Sequence, residues 1–256
     1  MTHQRHPPQP PTLGTALRQI REYLGLSREA AYAHTRVSVS HLKNIERDDK
    51  TPSPPLLDDL IRGYRLDPTQ AEYLHNLRGT PHHLDPPDVL RAKILESPRL
   101  ATHLLDLERR GVLAAYVDPT WTILFSNGLF RTANPGLDEQ GSVPVWVFSR
   151  AGRSVLADYD AEAHIAVSSV RGVSGRFRGS LQVREIFGRL RNNPEFRERW
   201  HTTIDVTFIR PTETPVRLRD DTGNTTAYTL TISPTDPTHE IHLLTAVQTD
   251  LGETWL

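Results

Sequence analysis

The sequence contains no cysteine, and this absence excludes disulfide bonds, thiol catalysis and thiolate metal sites. No apolar run approaches the roughly 20 residues that a membrane-spanning helix needs. The first twelve residues, MTHQRHPPQPPT, are polar and rich in proline, which is typical of a disordered arm and not of a secretory signal. We therefore expect a cytoplasmic protein with no membrane partner.

Lysine is also scarce and occurs only at Lys43, Lys50 and Lys93. Apart from histidine, all the other basic residues are arginine. This bias favours a GC-rich genome of the actinobacterial type. The net charge of −1 gives no sign that the whole chain binds nucleic acid. A basic surplus is present locally, however, since residues 13–47 hold more arginine and lysine than glutamate and aspartate.

Enzyme signatures are missing as well. The sequence has no G-x-S-x-G, no Walker loop and no H-E-x-x-H. The glycines of RGVSGRFRG, Gly172, Gly175 and Gly179, predict a turn and not a dinucleotide-binding loop. We expect no enzymatic activity and no cofactor.

Two groups of titratable residues have ordinary structural interpretations. His82 and His83 could begin a metal site, but no third ligand follows at a suitable spacing, so we expect a solvated pair in a loop. Asp158, Asp160 and Glu162 are predicted to complement the dipole at a helix N-terminus and not to form paired catalytic acids.

The N-terminal part of the chain has the pattern of short helices. Leu13, Leu17, Ile20 and Leu24 recur on one helical face, and Gly25 ends that helix. Two further helices are predicted to start after the N-caps Ser27 and Ser38, with a turn at residues 34–36 between them. Two more helices, in the stretch 53–77, complete an all-α domain over residues 13–79.

The third of these helices is suited to the major groove of DNA. Its inward positions are Leu42 and Ile45, which leaves short polar and basic side chains outside. An asparagine can bond adenine bidentately, a serine can bond several bases and a valine can contact the thymine methyl group. The predicted DNA-binding residues are Arg28, Ser38, Val39, Ser40, His41, Lys43, Asn44 and Arg47, with the basic ones mainly holding phosphates.

The stretch LGLSREAAYAHTRVSVSHLKNIERDDKTPSP resembles the helix-turn-helix of phage-repressor-like regulators of the XRE family. The matching positions are Leu24-Gly25-Leu26-Ser27, Ala31, Val37-Ser38 and Ile45-Glu46-Arg47. Two departures stand out: His34 or Thr35 replaces the usual turn glycine, and Asp48 replaces the glycine after Ile-Glu-Arg. Aspartate tolerates a left-handed conformation, so the resemblance implies a lambda-repressor-like domain that binds double-stranded DNA. A helical bundle that binds protein is the alternative.

Residues 80–87 are predicted to be a linker, and residues 88–256 a second domain. Its predicted order is a helix over 88–110 interrupted at Ser97-Pro98, a hairpin LAAYV-DPT-WTILFSN, several helices, and strands within 204–247. This order predicts an α+β, PAS-like fold with a five-stranded antiparallel sheet. Such a sheet and its covering helices enclose a cavity suited to a small ligand.

The pairing of the two halves resembles the MmyB-like regulators of actinobacteria. Matching stretches in the second half are Ala115-Tyr116-Val117 through Trp121 to Asn127, Ser168-Ser169-Val170-Arg171, Asn193-Pro194-Glu195-Phe196 with Trp200, Asp205-Val206 and residues 243–247. The resemblance implies a PAS-like domain that accepts small, often fatty-acid-like molecules. The chain departs where the family usually has histidine-proline-x-glycine, since it has RPTETPVRLRDDTGN there.

The candidate ligand-binding residues are of two kinds. Asn127 and Arg171 are polar groups at the ends of apolar elements and need partners if buried; Arg171 could hold a carboxylate, tie down the sheet or lie in solvent. The aromatic candidates could contact a ligand or form the core, and they are Tyr116, Trp121, Trp146, Phe148, Phe187, Phe196, Trp200 and Tyr228.

We therefore expect a sequence-specific DNA-binding transcriptional regulator. A homodimer would bind an inverted repeat, because one recognition helix reads too few bases. A small apolar or amphipathic ligand in the second domain would control it. The alternative is a second domain that serves only for ligand-free dimerisation or protein interaction.

Overall fold

The structure is a computed structural model that describes residues 7–210, 214–235 and 237–249. Within these residues, no helix is long and apolar enough to cross a membrane. The N-terminal part consists of five helices, α1 Leu13–Tyr23, α2 Arg28–Thr35, α3 Val39–Glu46, α4 Pro54–Gly63 and α5 Pro68–Arg78. Of the predicted disordered arm, residues 1–6 lie outside the described residues, while Pro8 and Pro11 are buried and Thr12 caps α1.

Capping and apolar spacing explain these helices. Ser27 and Ser38 accept backbone hydrogen bonds at the starts of α2 and α3, as predicted. Asp67 and Gln70 form a capping box at α5. The predicted inward face of α1 is buried except for Leu24, which follows the last turn and is 38% exposed.

The second part contains nine helices among the described residues and one sheet. The helices are α6 Pro87–Leu95, α7 Pro98–Arg109, α8 Gly128–Ala133, α9 Leu137–Gln140, α10 Val143–Val147, α11 Arg150–Val155, α12 Tyr159–Phe177, α13 Leu181–Leu190 and α14 Pro194–Thr202. The strands are β1 Leu113–Val117, β2 Ile123–Ser126, β3 Val216–Arg219, β4 Thr225–Pro234 and β5 His242–Gln248.

All five strands pair antiparallel in the order β2-β1-β5-β4-β3. The first hairpin therefore lies beside the last strand, with Ala115 opposite Leu244. This confirms the predicted α+β domain with a five-stranded antiparallel sheet. The largest apolar cluster lies between this sheet and the helices.

Two local predictions were wrong. Residues 204–210 form no strand, because Ile204 and Val206 point into the core of the N-terminal helices and make no ladder. The glycine-rich stretch predicted as a turn continues α12 through Gly172 and Gly175.

Those two glycines allow α12 to pack closely against two other parts of the chain, the segment 204–210 and helix α5. A Cβ atom at Gly172 would lie 2.7 Å from the backbone oxygen of Thr207, and one at Gly175 would lie 2.6 Å from the Tyr73 ring on α5. Gln70 Nε2 also donates to the backbone oxygen of Ile204 at 3.3 Å. Tertiary contact therefore outweighs the low helix propensity of glycine here.

We expect Gly175→Ala to lower the free energy of unfolding by about 1–3 kcal/mol, because the Tyr73 ring is buried and cannot move away. Gly188→Ala is the matched control, since a Cβ atom at this position of α13 meets nothing within 4 Å. That variant should be stabilised by roughly 0.5–1 kcal/mol. Urea unfolding measures both, and equal effects of the two replacements would contradict the close contact.

Candidate functional site

The outer face of α3 carries the predicted DNA-binding residues. Leu42 and Ile45 are buried and fix the helix against the other N-terminal helices, as predicted. Of the predicted residues on or beside this helix, Ser38, Ser40, Lys43 and Arg47 are exposed, and Val39, His41 and Asn44 are half-buried. The geometry thus presents short polar and basic groups on one accessible face.

The turn that leads into α3 differs from the expectation. Helix α2 continues through Thr35, and Arg36 adopts the left-handed conformation with a φ of 61°. Thr35 is buried, and its hydroxyl donates to the backbone oxygen of Ala31 at 2.8 Å. The residue that replaces the usual turn glycine is therefore Arg36 and not His34 or Thr35.

Asp48 is left-handed with a φ of 60°, which confirms that aspartate can take the place of the glycine after Ile-Glu-Arg. Its carboxylate accepts from the backbone nitrogen of Gly14 at 2.9 Å and from the Thr12 hydroxyl at 2.6 Å. Asp48 thereby binds the start of α1 to the end of α3, and these bonds favour aspartate over glycine at this position.

A buried ion network that the sequence did not reveal lies behind α3. Glu46 Oε1 accepts from Arg21 Nε at 2.5 Å, and Glu46 Oε2 accepts from Arg28 Nε at 2.8 Å. The Glu46 side chain has no exposed surface, and hydrogen bonding to it raises the pKa of Arg21. Arg28, predicted to hold a phosphate, has its guanidinium on Glu46, and this ion pair joins α2 to α3.

A cavity of about 210 Å³ lies between the sheet and helices α8–α12. Its sheet side is formed by aliphatic residues of β1, β3, β4 and β5, and Ile209 and Thr231 are exposed at its mouth. The remaining lining residues from the helices and loops are Trp121, Phe130, Asn134, Leu137, Val143, Pro144, Trp146, Val147, Leu156, Glu162, Ile165, Ala166, Ser169 and Arg210.

Of the predicted ligand-binding residues, only Trp121 and Trp146 line this cavity. Phe148, Phe187 and Trp200 belong to an aromatic cluster around Phe196, with ring centroids 5.1–6.2 Å apart. These rings face one another across α13 and α14, so they form core and not cavity wall. Tyr116 is fully buried on β1, and its hydroxyl donates to the backbone oxygen of Leu100 at 3.0 Å.

The remaining three candidates also lie outside the wall. Asn127 caps α8, and its amide nitrogen donates to the backbone oxygen of Val112 at 2.8 Å. Arg171 is buried, and its two terminal guanidinium nitrogens donate to the backbone oxygens of Asp205, Trp200 and Thr203, so that it ties residues 200–205 to α12. Tyr228 is half-buried on β4 and packs against the core.

Sequence reasoning missed the two charged residues of the cavity wall. Glu162 is predicted to complement the dipole of the helix that becomes α12, and Arg210 lies in a segment predicted to be a strand. The two side chains form a bidentate ion pair with nitrogen–oxygen distances of 2.6 and 2.7 Å. A signal was present nonetheless, because Arg210 opens the stretch RPTETP where the chain departs from the MmyB-like pattern.

The linker brings His83 and Asp85 close to Glu240, and their ligand atoms lie within 4.8 Å of one another. Lys93 Nζ occupies the centre of this group, 2.8 Å from Asp85 and 3.0 Å from Glu240. Hydrogen bonding from Lys93, and next from His83, lowers the pKa of Asp85. The cluster is thus a salt-bridge network that attaches the linker to the second domain, and Lys93 already supplies the cation.

Comparison with known families assigns both halves of the chain. Residues 12–74 match the model of a helix-turn-helix domain. Residues 98–253, more than half of the chain, match the model described as the MmyB-like transcription regulator ligand binding domain. A search of curated proteins finds no match.

Proposed function

The chain belongs to the MmyB-like transcription regulators, and from this membership we propose that it binds a specific operator as a homodimer under the control of a small ligand. A DNA-binding transcription regulator is the function that the two matched domains support. The observation that carries the proposed control is structural: one helix and one short segment contact both the cavity and the core of the helix-turn-helix domain.

Helix α12 is the first of these links. Ile165, Ala166 and Ser169 line the cavity. One and two turns further on, Gly172 and Gly175 pack against residues 207–208 and against Tyr73 of α5. A ligand that moves the cavity side of α12 therefore also changes its contact with the DNA-binding domain, because interiors are close-packed and transmit strain.

The segment 203–210 is the second link. Thr203 O accepts from Gln19 of α1 at 3.2 Å, and Ile204 and Val206 are buried in the N-terminal core. Three to four residues later, Ile209 and Arg210 line the cavity. A ligand can shift the DNA-binding equilibrium only as far as it binds one arrangement of these contacts better than another.

For DNA recognition we propose that Val39, Ser40 and Asn44 contact base edges and that Lys43 and Arg47 hold phosphates. Ser38 caps α3, and Arg28 positions it through Glu46. A homodimer would place two such helices about 34 Å apart, or at a multiple of that distance, on an inverted repeat. Analytical ultracentrifugation of the protein with and without such a duplex measures whether it is a monomer or a dimer in each state.

We expect Asn44→Ala to reduce discrimination at one base pair of each half-site by about 1–3 kcal/mol, because the side chain no longer bonds a base bidentately. Selection from random duplexes, followed by competition binding, measures the loss. Lys43→Ala is the control: it should weaken binding to all sequences and reduce the salt slope by about one. An unchanged base preference would show that Asn44 is not one of the residues that contact base edges.

The ligand part is tested on the purified full chain. Small molecules that copurify with it are identified by mass spectrometry and then added back while operator affinity is measured. A copurified molecule that changes operator affinity supports the proposal. A cavity that stays empty and a dimer that forms without any small molecule favour the alternative, a second domain that serves only for dimerisation or protein interaction.

A further inference from the structure

One ion pair interrupts the otherwise neutral wall of the cavity. Glu162 accepts two hydrogen bonds from Arg210, and each of the two side chains is 10% exposed. Over residues 7–210, 214–235 and 237–249, these are the only charged side chains in the wall. The pair therefore determines which charge a ligand can carry into the cavity.

Arg210 is held in place by more than Glu162. Its Nε donates to the backbone oxygen of Thr214 at 3.0 Å, and its Nη2 donates to that of Pro215 at 3.3 Å. All three guanidinium nitrogens are thus engaged, and the planar fork is already filled by a carboxylate. The side chain cannot turn towards a second anion without losing these bonds.

A ligand carboxylate would consequently meet the charge of Glu162 without a cation to neutralise its own. Like charges a few ångströms apart repel strongly where water is largely excluded, and the incoming group also loses its hydration. A neutral hydroxyl or carbonyl has neither cost. Neutral partners for such a group are present in the wall at Asn134, Ser169 and Thr231.

The volume limits the size of the ligand. An apolar cavity of about 150 Å³ accommodates benzene, so scaling to this cavity of about 210 Å³ gives roughly eight non-hydrogen atoms. We propose that the cavity binds neutral, largely apolar molecules of about this size and that the Glu162–Arg210 pair excludes the corresponding carboxylates. This inference rests on the proposed function in that it takes the cavity to be the ligand site.

Heptan-1-ol and heptanoate are matched probes of nearly equal length. Calorimetric titration of the full wild-type chain at neutral pH should show that heptan-1-ol binds at least about tenfold more tightly than heptanoate. Equal or tighter binding of heptanoate would overturn the inference, and so would the absence of binding by either probe. This comparison needs no variant.

Glu162→Gln should abolish the preference for heptan-1-ol, because it removes the negative charge, keeps the size of the side chain and leaves the Arg210 cation for the ligand. Affinity for heptanoate is expected to rise by about tenfold or more, while that for heptan-1-ol changes little. Glu72→Gln, an exposed replacement on α5, should change neither affinity. A folded Glu162→Gln protein, checked by circular dichroism, that still prefers heptan-1-ol would contradict the role of the pair.

Operator affinity measured in the same solutions separates this inference from the proposed function. Preferential binding of heptan-1-ol without any change in DNA affinity supports the ligand class and contradicts ligand control. Preferential binding of heptanoate accompanied by a change in DNA affinity contradicts the ligand class and supports ligand control.

Discussion

Replacing Glu46 by alanine is expected to lower the free energy of unfolding by about 3–5 kcal/mol, the largest effect of any single change proposed for the DNA-binding domain. The carboxylate is fully buried and receives hydrogen bonds from Arg21 and Arg28. Its removal leaves the Arg21 side chain, which is 7% exposed, with only the exposed carboxylate of Glu22, 3.5 Å from its Nη2, as an anionic partner. An unpaired buried charge costs far more than the pair itself contributes.

Urea unfolding monitored by circular dichroism measures this loss. Asp59→Ala is the matched control, because it removes the carboxylate of an exposed ion pair with Arg62 on α4. That change should cost about 0–1 kcal/mol. If both variants lose equally little, the three side chains of the network do not form a structural unit, and Arg28 returns to the set of phosphate contacts.

The comparison between α3 and the Glu46 network shows what the sequence can predict. The cap at Ser38 and the inward spacing of Leu42 and Ile45 are local signals, and the structure confirms them. The ion network joins side chains of three helices that are up to 25 positions apart in the chain. No short-range pattern records such a contact.

The second domain shows the same division between local and tertiary signals. The order of helices and strands predicted the five-stranded sheet, since turn residues and the alternation of apolar and polar residues are short-range sequence signals. The direction in which each aromatic side chain points has no such short-range signal. Trp146 lines the cavity, while Phe187 and Trp200 pack edge to face in the core. The size of an aromatic side chain therefore does not tell whether it lines the cavity or belongs to the core.

The segment 204–210 and the glycines of α12 were misjudged for one common reason. Ile204 and Val206 alternate like strand residues, but the surface that buries them belongs to the other domain. Gly172 and Gly175 resemble a turn, yet Gly172 packs against residue 207 of that segment and Gly175 packs against Tyr73 of the DNA-binding domain. Local propensity gave the wrong result where packing between the domains decides the structure.

Arg171→Met is expected to lower the free energy of unfolding by about 2–4 kcal/mol. The guanidinium donates to the backbone oxygens of Asp205 at 2.5 Å and of Trp200 and Thr203 at 3.0 Å. Methionine fills much of the space but leaves these oxygens without their donor. Burial lowers the pKa of Arg171, so removal of the cation also removes a desolvation cost, and the net loss is smaller than the sum of three lost bonds.

The same change should loosen the attachment between the domains. Thr203 O and Trp200 O also accept from Gln19 of the DNA-binding domain, and the following residues Ile204 and Val206 complete its core. Limited proteolysis should therefore cleave the Arg171→Met protein faster within 200–210. Arg176→Met, an exposed replacement on the same helix, should stay within about 0.5 kcal/mol of the wild type and keep its resistance.

The outcome also decides between two roles for Arg171. A residue that holds a ligand carboxylate would, when replaced, reduce ligand binding and leave unfolding unchanged. A residue that holds segment 200–205 against α12 would reduce stability and, through that segment, uncouple operator affinity from the state of the cavity. The three carbonyl bonds place Arg171 in the second role. Unchanged stability together with reduced heptanoate binding would return it to the first.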